Sequence, residues 1–454
     1  MAGTTTDFFC PALSERSGWL RVDSNPCDQA LSGFRVDPGS PEAARAVRSH
    51  VLNQRVSAEQ AGTGGDGGIA RRILESPTSA TVRIADLAST LRRQGVKVVD
   101  FSAGRASEHT PEYICRVASE ALLGGDTHQT MAQGTPEYRA ACARKLLREN
   151  GLEADPETEI VATFGCKNGL TLALLAIMNP GDELILEDPG FVSYAPTIRF
   201  LGGVPVTVPL EPELGHRWRE ERLRAAVTPR TKAILFCSPH NPTGTVHTPE
   251  ELDMIGRVAS DHGLYVISDE IYERVTWGGR SHTCIATRPG MRERTITLMG
   301  LTKTASMGGW RIGFAFAPPP VIEAMVMGQQ HLTTCVGSFT QAGAAVAFGE
   351  PPPPALTEMW KEWEERCAFM TSALDALPGV SCAMPEGGFY AWADITGTGE
   401  SSEALAERLL KDHHIAVVPG SAFGDQGEGY LRITCVKSWE DLKEGVKRLK
   451  EALG

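Results

Sequence analysis

The chain has no long apolar run. Its longest, such as Leu172–Met178 and Ala233–Cys237, are far too short to cross a bilayer as a helix, which excludes an integral helical membrane protein. It lacks an excess of basic charge. Asp and Glu number 56 against 44 Lys and Arg, a net charge of -12 that argues against binding nucleic acid through the phosphate backbone. None of its 11 cysteines forms a C-x-x-C pair, and their number is odd. They read as reduced thiols of a cytoplasmic protein, not as a disulfide framework or zinc site. The first residues, MAGTTTDFFC, have no basic segment followed by an apolar stretch, so no signal peptide is expected. No internal repeat is visible.

Residues 1–75 show no sustained period and run into Gly62-Thr63-Gly64-Gly65-Asp66-Gly67-Gly68. That run spells G-x-G-x-x-G, but a dinucleotide loop needs a strand just before it, and Val56–Ala61 makes a poor one. The segment reads as a flexible N-terminal extension. Beyond it, Ile84, Leu87 and Leu91 predict a helix ending at Gly95, and Val96–Phe101 a short strand.

Short apolar runs then alternate with helical segments: Glu159–Phe164, Glu183–Glu187, Lys232–Cys237, Leu264–Ser268, Thr295–Met299 and Ile312–Ala317. Near-continuous apolar strands are buried on both faces, and strand–helix alternation implies an α/β domain with a mostly parallel sheet. One helix start is well marked: Thr248 as N-cap, Pro249 at the first helical position and Glu251 closing a capping box. After the proline run Pro351–Pro354, a long helix should bury Met359, Trp360, Trp363 and Met370. Gly388–Asp394, Ser402–His413, Tyr430–Val436 and Trp439–Leu453 then read as a smaller α+β domain. His413-His414 has no metal-ligand spacing and reads as a helix end.

Open parallel sheets bind ligands at the carboxyl ends of their strands. That edge collects Cys166-Lys167 at a helix start, Phe191, Asn241, Asp269, Tyr272, Lys303 and, just beyond, Arg311. In isolation each has an ordinary reading. Lys303 would be a solvated surface lysine, Asp269 a helix cap and Asn241-Pro242 a turn.

The segments SPTSATVRIADL (76–87), PHNPTG (239–244), SDEIYE (268–273), LTKTASMGGWRIGF (301–314), PGSAFG (419–424) and GYLRIT (429–434) occur in one order and spacing. From about Ser76 to Gly454 the chain thereby resembles the class I/II aminotransferases, fold-type I enzymes dependent on pyridoxal 5'-phosphate (PLP). The resemblance implies a large PLP-binding domain at 117–350 and a small domain split between 76–116 and 351–454. It also implies a homodimer and, as substrates, an α-amino acid and a 2-oxo acid, with neither nucleic acid nor membrane as partner.

Residue by residue, Lys303 matches the lysine that holds PLP as a Schiff base and moves the α-proton. Asp269 matches the carboxylate that keeps the pyridine nitrogen protonated. Asn241 and Tyr272 match the donors to the phenolic oxygen, and Phe191 the ring stacked on the cofactor. Cys166 and Lys167 (through backbone N–H groups) and Arg311 match the phosphate site. Arg432 matches the grip on the substrate carboxylate, with Gly104 and Asn241 beside it. The residues that carry chemistry are thus Lys303, Asp269 and Tyr272.

Two segments depart from the family pattern. Gly104-Arg105-Ala106-Ser107-Glu108-His109 lacks the usual Pro and Asp of a G-x-P-D stretch, although Gly104 still allows close backbone approach. Thr127-His128-Gln129-Thr130-Met131 lacks the tyrosine that many relatives send to the neighbouring subunit, and His128 stands as a replacement. Arg105, His109 and His128 are therefore the polar residues to place against a substrate side chain. Transamination is the expected outcome. The alternative is β- or γ-elimination, replacement or cyclisation on an amino acid such as S-adenosylmethionine. A non-catalytic regulator on the same fold would need a DNA-binding segment, and residues 1–75 show no basic cluster or helix-turn-helix.

Overall fold

A computed structural model describes residues 70–74, 80–349 and 353–454. The flexible-extension reading of residues 1–75, the glycine run within it and the start of the proline run therefore lie outside the described residues, apart from 70–74.

Among the described residues twelve strands are formed: β1 (Val99–Asp100), β2 (Ile160–Thr163), β3 (Glu183–Asp188), β4 (Val204–Pro209), β5 (Thr231–Cys237), β6 (Tyr265–Asp269), β7 (Thr295–Gly300), β8 (Gly313–Phe316), β9 (Tyr390–Asp394), β10 (Ile415–Ala416), β11 (Val418–Pro419) and β12 (Tyr430–Thr434). Seven of them make one sheet in the order β2-β8-β7-β6-β5-β3-β4. All pairings are parallel except those of β8, which runs against both β2 and β7. This is the mostly parallel α/β sheet that the apolar runs predict. Strands β2, β3, β7 and β8 are buried at every position, as two-sided coverage by helices demands.

Strand β4 is absent from the sequence expectation. Its sequence VPVTVP carries two prolines and leaves Val204 44% exposed. Proline cannot donate to a ladder, so such a strand survives only at an edge, where β4 lies. The strand expected over Val96–Phe101 shrinks to β1, which pairs in parallel with β10.

The helix expected over Ile84–Gln94 spans Ala80–Arg93. Ile84, Ala88 and Leu91 form its inner stripe, packed with Leu410 and Ala416, while Leu87 is turned out. Thr248 and Glu251 form the reciprocal capping box of helix Pro249–Asp261. Helices Ser402–His413 and Trp439–Leu453 have the predicted bounds, and His414 caps the first in the left-handed region.

Helix Pro354–Asp375 buries Met359, Trp363 and Met370, while Trp360 is half-buried and donates to the Thr304 carbonyl. Trp363 is fully buried, packs edge-on to Phe389 and donates to Glu108 Oε2 at 3.1 Å. It thereby ties the long helix both to the residue that precedes β9 and to the 104–109 segment. Trp363→Ala should cost about 3–5 kcal/mol through cavity formation. Urea unfolding followed by tryptophan fluorescence would register this as a clearly lowered midpoint, and an unchanged midpoint would contradict the packing described.

Candidate active site

Strands β3, β5, β6 and β7 are parallel, and β2 shares their direction because β8 opposes both it and β7. Their carboxyl ends therefore meet at one edge. There a cavity of about 380 Å³ opens between Cys166, Lys167, Phe191, Asn241, Asp269, Tyr272, Lys303 and Arg311. All eight cofactor-site residues drawn from the sequence are thus brought together. Arg432 and Gly104 border this group through hydrogen bonds to two of its members.

Asp269 closes β6 with its carboxyl buried. It accepts from the Tyr194 hydroxyl at 2.8 Å and the Ile271 N–H at 3.3 Å. Burial raises its pKa to about 6; those two donors and the charge of Lys303 oppose the rise only in part, and Glu270 adds to it. No Lys, Arg or His is in ion-pair contact with it among the described residues. A buried carboxylate kept this way suits a protonated ring nitrogen as partner.

The opposite demand sits at the other wall. Gly165 enters helix Cys166–Ile177 with φ 78°, and a Cβ there would lie 3.1 Å from Arg311 Nη2. The glycine thus supplies both the turn and the room for the guanidinium. Arg311 is itself in the left-handed region (φ 54°) and donates to the carbonyls of Gly308 and Phe164, each at 3.0 Å. The first-turn N–H groups of Cys166 and Lys167 have no acceptor within their own helix. Burial lowers the Lys167 pKa, and the charges of Arg311 and Lys303 push it the same way. Positive groups gathered without a carboxylate fit a phosphate at a helix N-terminus. The Lys167 ammonium also lies 5.4 Å from the centre of the Phe191 ring.

Lys303 follows β7 and donates to the Gly104 carbonyl. Arg432, on β12, is buried between the rings of Tyr390 and Phe423, 4.4 and 4.8 Å from its guanidinium carbon. It donates to Asn241 Oδ1 at 3.1 Å and to the Ser102 carbonyl at 2.9 Å, while its Nε has no partner. A buried guanidinium with no carboxylate beside it is costly unless an anion arrives. Because Asn241 Oδ1 accepts from Arg432, the amide NH₂ of Asn241 is left free to donate.

Sequence reasoning missed two tyrosines. Tyr194 bonds Asp269, and it stands three residues after Phe191, a spacing that puts both rings on one side. Tyr390 shares a hydrogen bond of 2.8 Å with Tyr272. A Cβ on Gly104 would fall 2.3 Å from the Tyr390 oxygen, so the close approach at Gly104 is to this ring. Glu187 was also hidden in an apolar run. It is buried, accepts from the Cys237 N–H at 2.9 Å, and lies 3.3 Å from both His240 and His247. Burial would raise its pKa, but the two imidazoles bring it down to about 2. The cluster braces the loop that carries Asn241. His128 is exposed and lines neither cavity found beside Lys303.

A carboxyl whose folded pKa lies above its unfolded value costs stability once ionised. The cost is absent below about pH 4, grows as pH rises through about 6, and is complete above it. Asp269→Asn should therefore stabilise the ligand-free protein at pH 7.5 by about 3 kcal/mol, a gain that fades towards pH 4. Thermal unfolding across that range would check it, and a gain independent of pH would be the wrong result.

The family model for aminotransferase class I and II matches residues 96–449. The chain is 39% identical to aromatic-amino-acid aminotransferase 2 of Thermococcus litoralis over 362 residues, 79% of this chain and 93% of that protein. It is 40% identical to an aspartate aminotransferase of Pyrococcus abyssi over 357 residues, 78% and 92% of the two. The solved aspartate aminotransferase of Thermus thermophilus with maleate superposes with a TM-score of 0.81 at 38% identity, covering 85% of this chain and all of that one.

Proposed function

As this chain belongs to the class I and II aminotransferases, we propose that the cavity beside Lys303 holds PLP and that the residues named above carry out its chemistry. The reaction is transfer of an amino group between an α-amino acid and a 2-oxo acid. The relatives' names are those of amino transfer, and no observation favours elimination or replacement. The single observation that carries the reading is the placement of Asp269, Lys303 and Arg311 around one cavity with complementary electrostatic needs.

When bound, PLP supplies an aldehyde that captures amines and a ring that accepts electron density from the α-carbon. Asp269 would hold a proton at the ring nitrogen, and that cation would favour its own ionisation. Arg311 and the N–H groups of Cys166 and Lys167 hold the phosphate. Phe191, which lines the cavity, would pack against the ring. Tyr272 and the free amide of Asn241 donate towards the phenolic oxygen. Lys303 would hold the cofactor through its amine, and the same amine would serve as the base that moves the α-proton. Arg432 receives the substrate carboxylate on its outward donors, and the rings of Tyr390 and Phe423 keep water from it.

A division into a large domain at 117–350 and a small one from 76–116 and 351–454 accompanies this reading, supported by the β1–β10 pair. So does a cytoplasmic location: the nine described cysteines are all free. No helix among the described residues is long and apolar enough to cross a membrane. A homodimer is supported by one patch. Segments 122–134 and 332–341 are stitched together by Ser338 to the Asp126 carbonyl, Thr130 N–H to Cys335 Sγ, and Gln341 to Thr130. Leu122, Leu123, Met131 and Leu332 of these segments are exposed, apolar side chains that a second copy would cover.

Incubation with single amino acids and 2-oxoglutarate should yield glutamate. Lys303→Ala should lower that rate at least about 10³-fold. Borohydride treatment of the holoenzyme followed by peptide mass spectrometry should place the pyridoxyl mass on Lys303. A label elsewhere, or an active Lys303→Ala enzyme, would sink the assignment. Leu123→Glu should shift the protein to monomers in light-scattering chromatography, and an unshifted mass would remove this patch as the dimer contact.

A further inference from the structure

Lys437 lies between β12 and helix Trp439–Leu453, directly before the helix N-cap Ser438. It is 9% exposed and lines a second cavity, of about 620 Å³, together with Arg92, Asp100, Arg105 and Asp441. No carboxylate is in ion-pair contact with it among the described residues. Its ammonium donates to the carbonyls of Ala103 at 3.4 Å and Arg105 at 3.2 Å, which leaves a third donor.

Three features of this setting disfavour a charge on the amine. Burial takes it out of water. The helix start beside it is the positive end of the helix dipole. Arg92 and Arg105 line the same cavity, and Arg105 is exposed with no carboxylate partner among the described residues. Two acids oppose them. Asp100, on β1, is engaged by Arg92 at 3.2 Å and by the Ser102 hydroxyl and N–H. Asp441, in the helix, has no ion-pair partner among the described residues and accepts from the Ser438 hydroxyl. Burial is the largest cause and brings the Lys437 pKa down to about 8; Arg105 and Arg92 act with it, against Asp100 and Asp441. Near pH 8 about half of the amine is therefore unprotonated and nucleophilic.

We propose that Lys437 is an acylation site that takes an acyl group from a small acyl phosphate, and that its acylation loosens the backbone strap 102–105. The donor class follows from Arg105, an uncommitted cation on the cavity wall that favours an anionic donor. The unprotonated Nζ attacks the carbonyl carbon. A new N–C bond replaces the C–O bond to phosphate, whose electron pair leaves with inorganic phosphate, and one amine proton passes to water. Nothing is oxidised or reduced. The product amide is neutral and keeps one N–H, so Lys437 can no longer hold both the Ala103 and Arg105 carbonyls. Between these two lies the Gly104 carbonyl that accepts from Lys303, and just before them the Ser102 carbonyl that accepts from Arg432. The modification thus reaches the candidate site through the backbone. The proposal does not depend on the amino-transfer reading.

The test is treatment of the holoenzyme with acetyl phosphate, followed in time by peptide mass spectrometry. The exposed Lys443, Lys447 and Lys450 of the adjoining helix serve as internal references. At pH 8 Lys437 should be acetylated at least about tenfold faster than these, and its rate should level off above about pH 9. Arg105→Gln should slow Lys437 alone. Hydrogen exchange in segment 102–107 should become about threefold faster after acetylation, and the same treatment of Lys437→Arg should leave it unchanged. Acetylation of Lys437 no faster than that of the references, or a rate that Arg105→Gln does not alter, overturns the site. Unchanged exchange in the acetylated protein overturns the loosening. None of these readouts needs turnover, so failure to form glutamate from any amino acid would sink the amino-transfer reading and leave this one standing.

Discussion

A carboxyl group buried at the end of a central strand, with no cation in ion-pair contact among the described residues, is the constraint around which this site is organised. Burial without a counter-charge is unfavourable, and Asp269 answers with a pKa raised to about 6. The fold tolerates this because β6 lies in the middle of the sheet, where neighbours on both sides hold it. The Tyr194 hydroxyl and Ile271 N–H satisfy part of the carboxylate, and the remainder faces the cavity. Positive groups stand on the far wall, so the empty space between them has a polarity. One end calls for a proton-bearing nitrogen and the other for an oxyanion. That polarity would orient a ligand bearing both groups before any covalent event.

The second constraint is mechanical. Residues 102–105 run past the Lys303 ammonium with their carbonyls turned to it and to β12. Backbone carbonyls are acceptors of fixed direction. Three side chains of β12 and its extension, Arg432, Thr434 and Lys437, use them as rungs. Gly104 is needed within this stretch because any Cβ would strike the Tyr390 hydroxyl. Tyr390 in turn holds Tyr272 and flanks Arg432. The segment whose sequence departs from the family pattern is therefore among the most heavily strapped parts of the site. Its altered side chains are displayed on a rigid frame.

Much of this was legible in the sequence, for identifiable reasons. Strands buried on both faces announce themselves as apolar runs, and all six expected over 159–317 are present in the seven-stranded sheet. Thr248 and Glu251 announce a helix start because the capping box is a local structure. Strand β4 was not legible, since its two prolines and its unevenly buried valines carry no periodic signal and only its edge position permits it. Leu87 was misplaced because its spacing to Ile84 and Leu91 suits the inner stripe as well as Ala88 does. At the site, strand-end residues could be found from the order of motifs. Tyr194, Tyr390 and Glu187 could not, because their roles depend on partners 75, 118 and 50 or more residues away. Long-range pairing leaves no mark on local composition.

Charge shows the same division between local and global. A chain of net charge -12 repels anions at long range, yet Lys167, Lys303 and Arg311 stand together at the cavity of the candidate site. The conflict is resolved by distance. Beyond a Debye length of about 8 Å, salt screens most of the surface field. Within it, what counts is whether each acid is already engaged. Beside the cavity lined by residues 104–109, Asp100 and Glu108 are paired with Arg92 and Arg366, whereas Asp441 has no ion-pair partner among the described residues. Net charge thus bears on which macromolecules the protein avoids. The pairing of individual carboxylates decides which small anions it can admit, and that pairing is set by the fold.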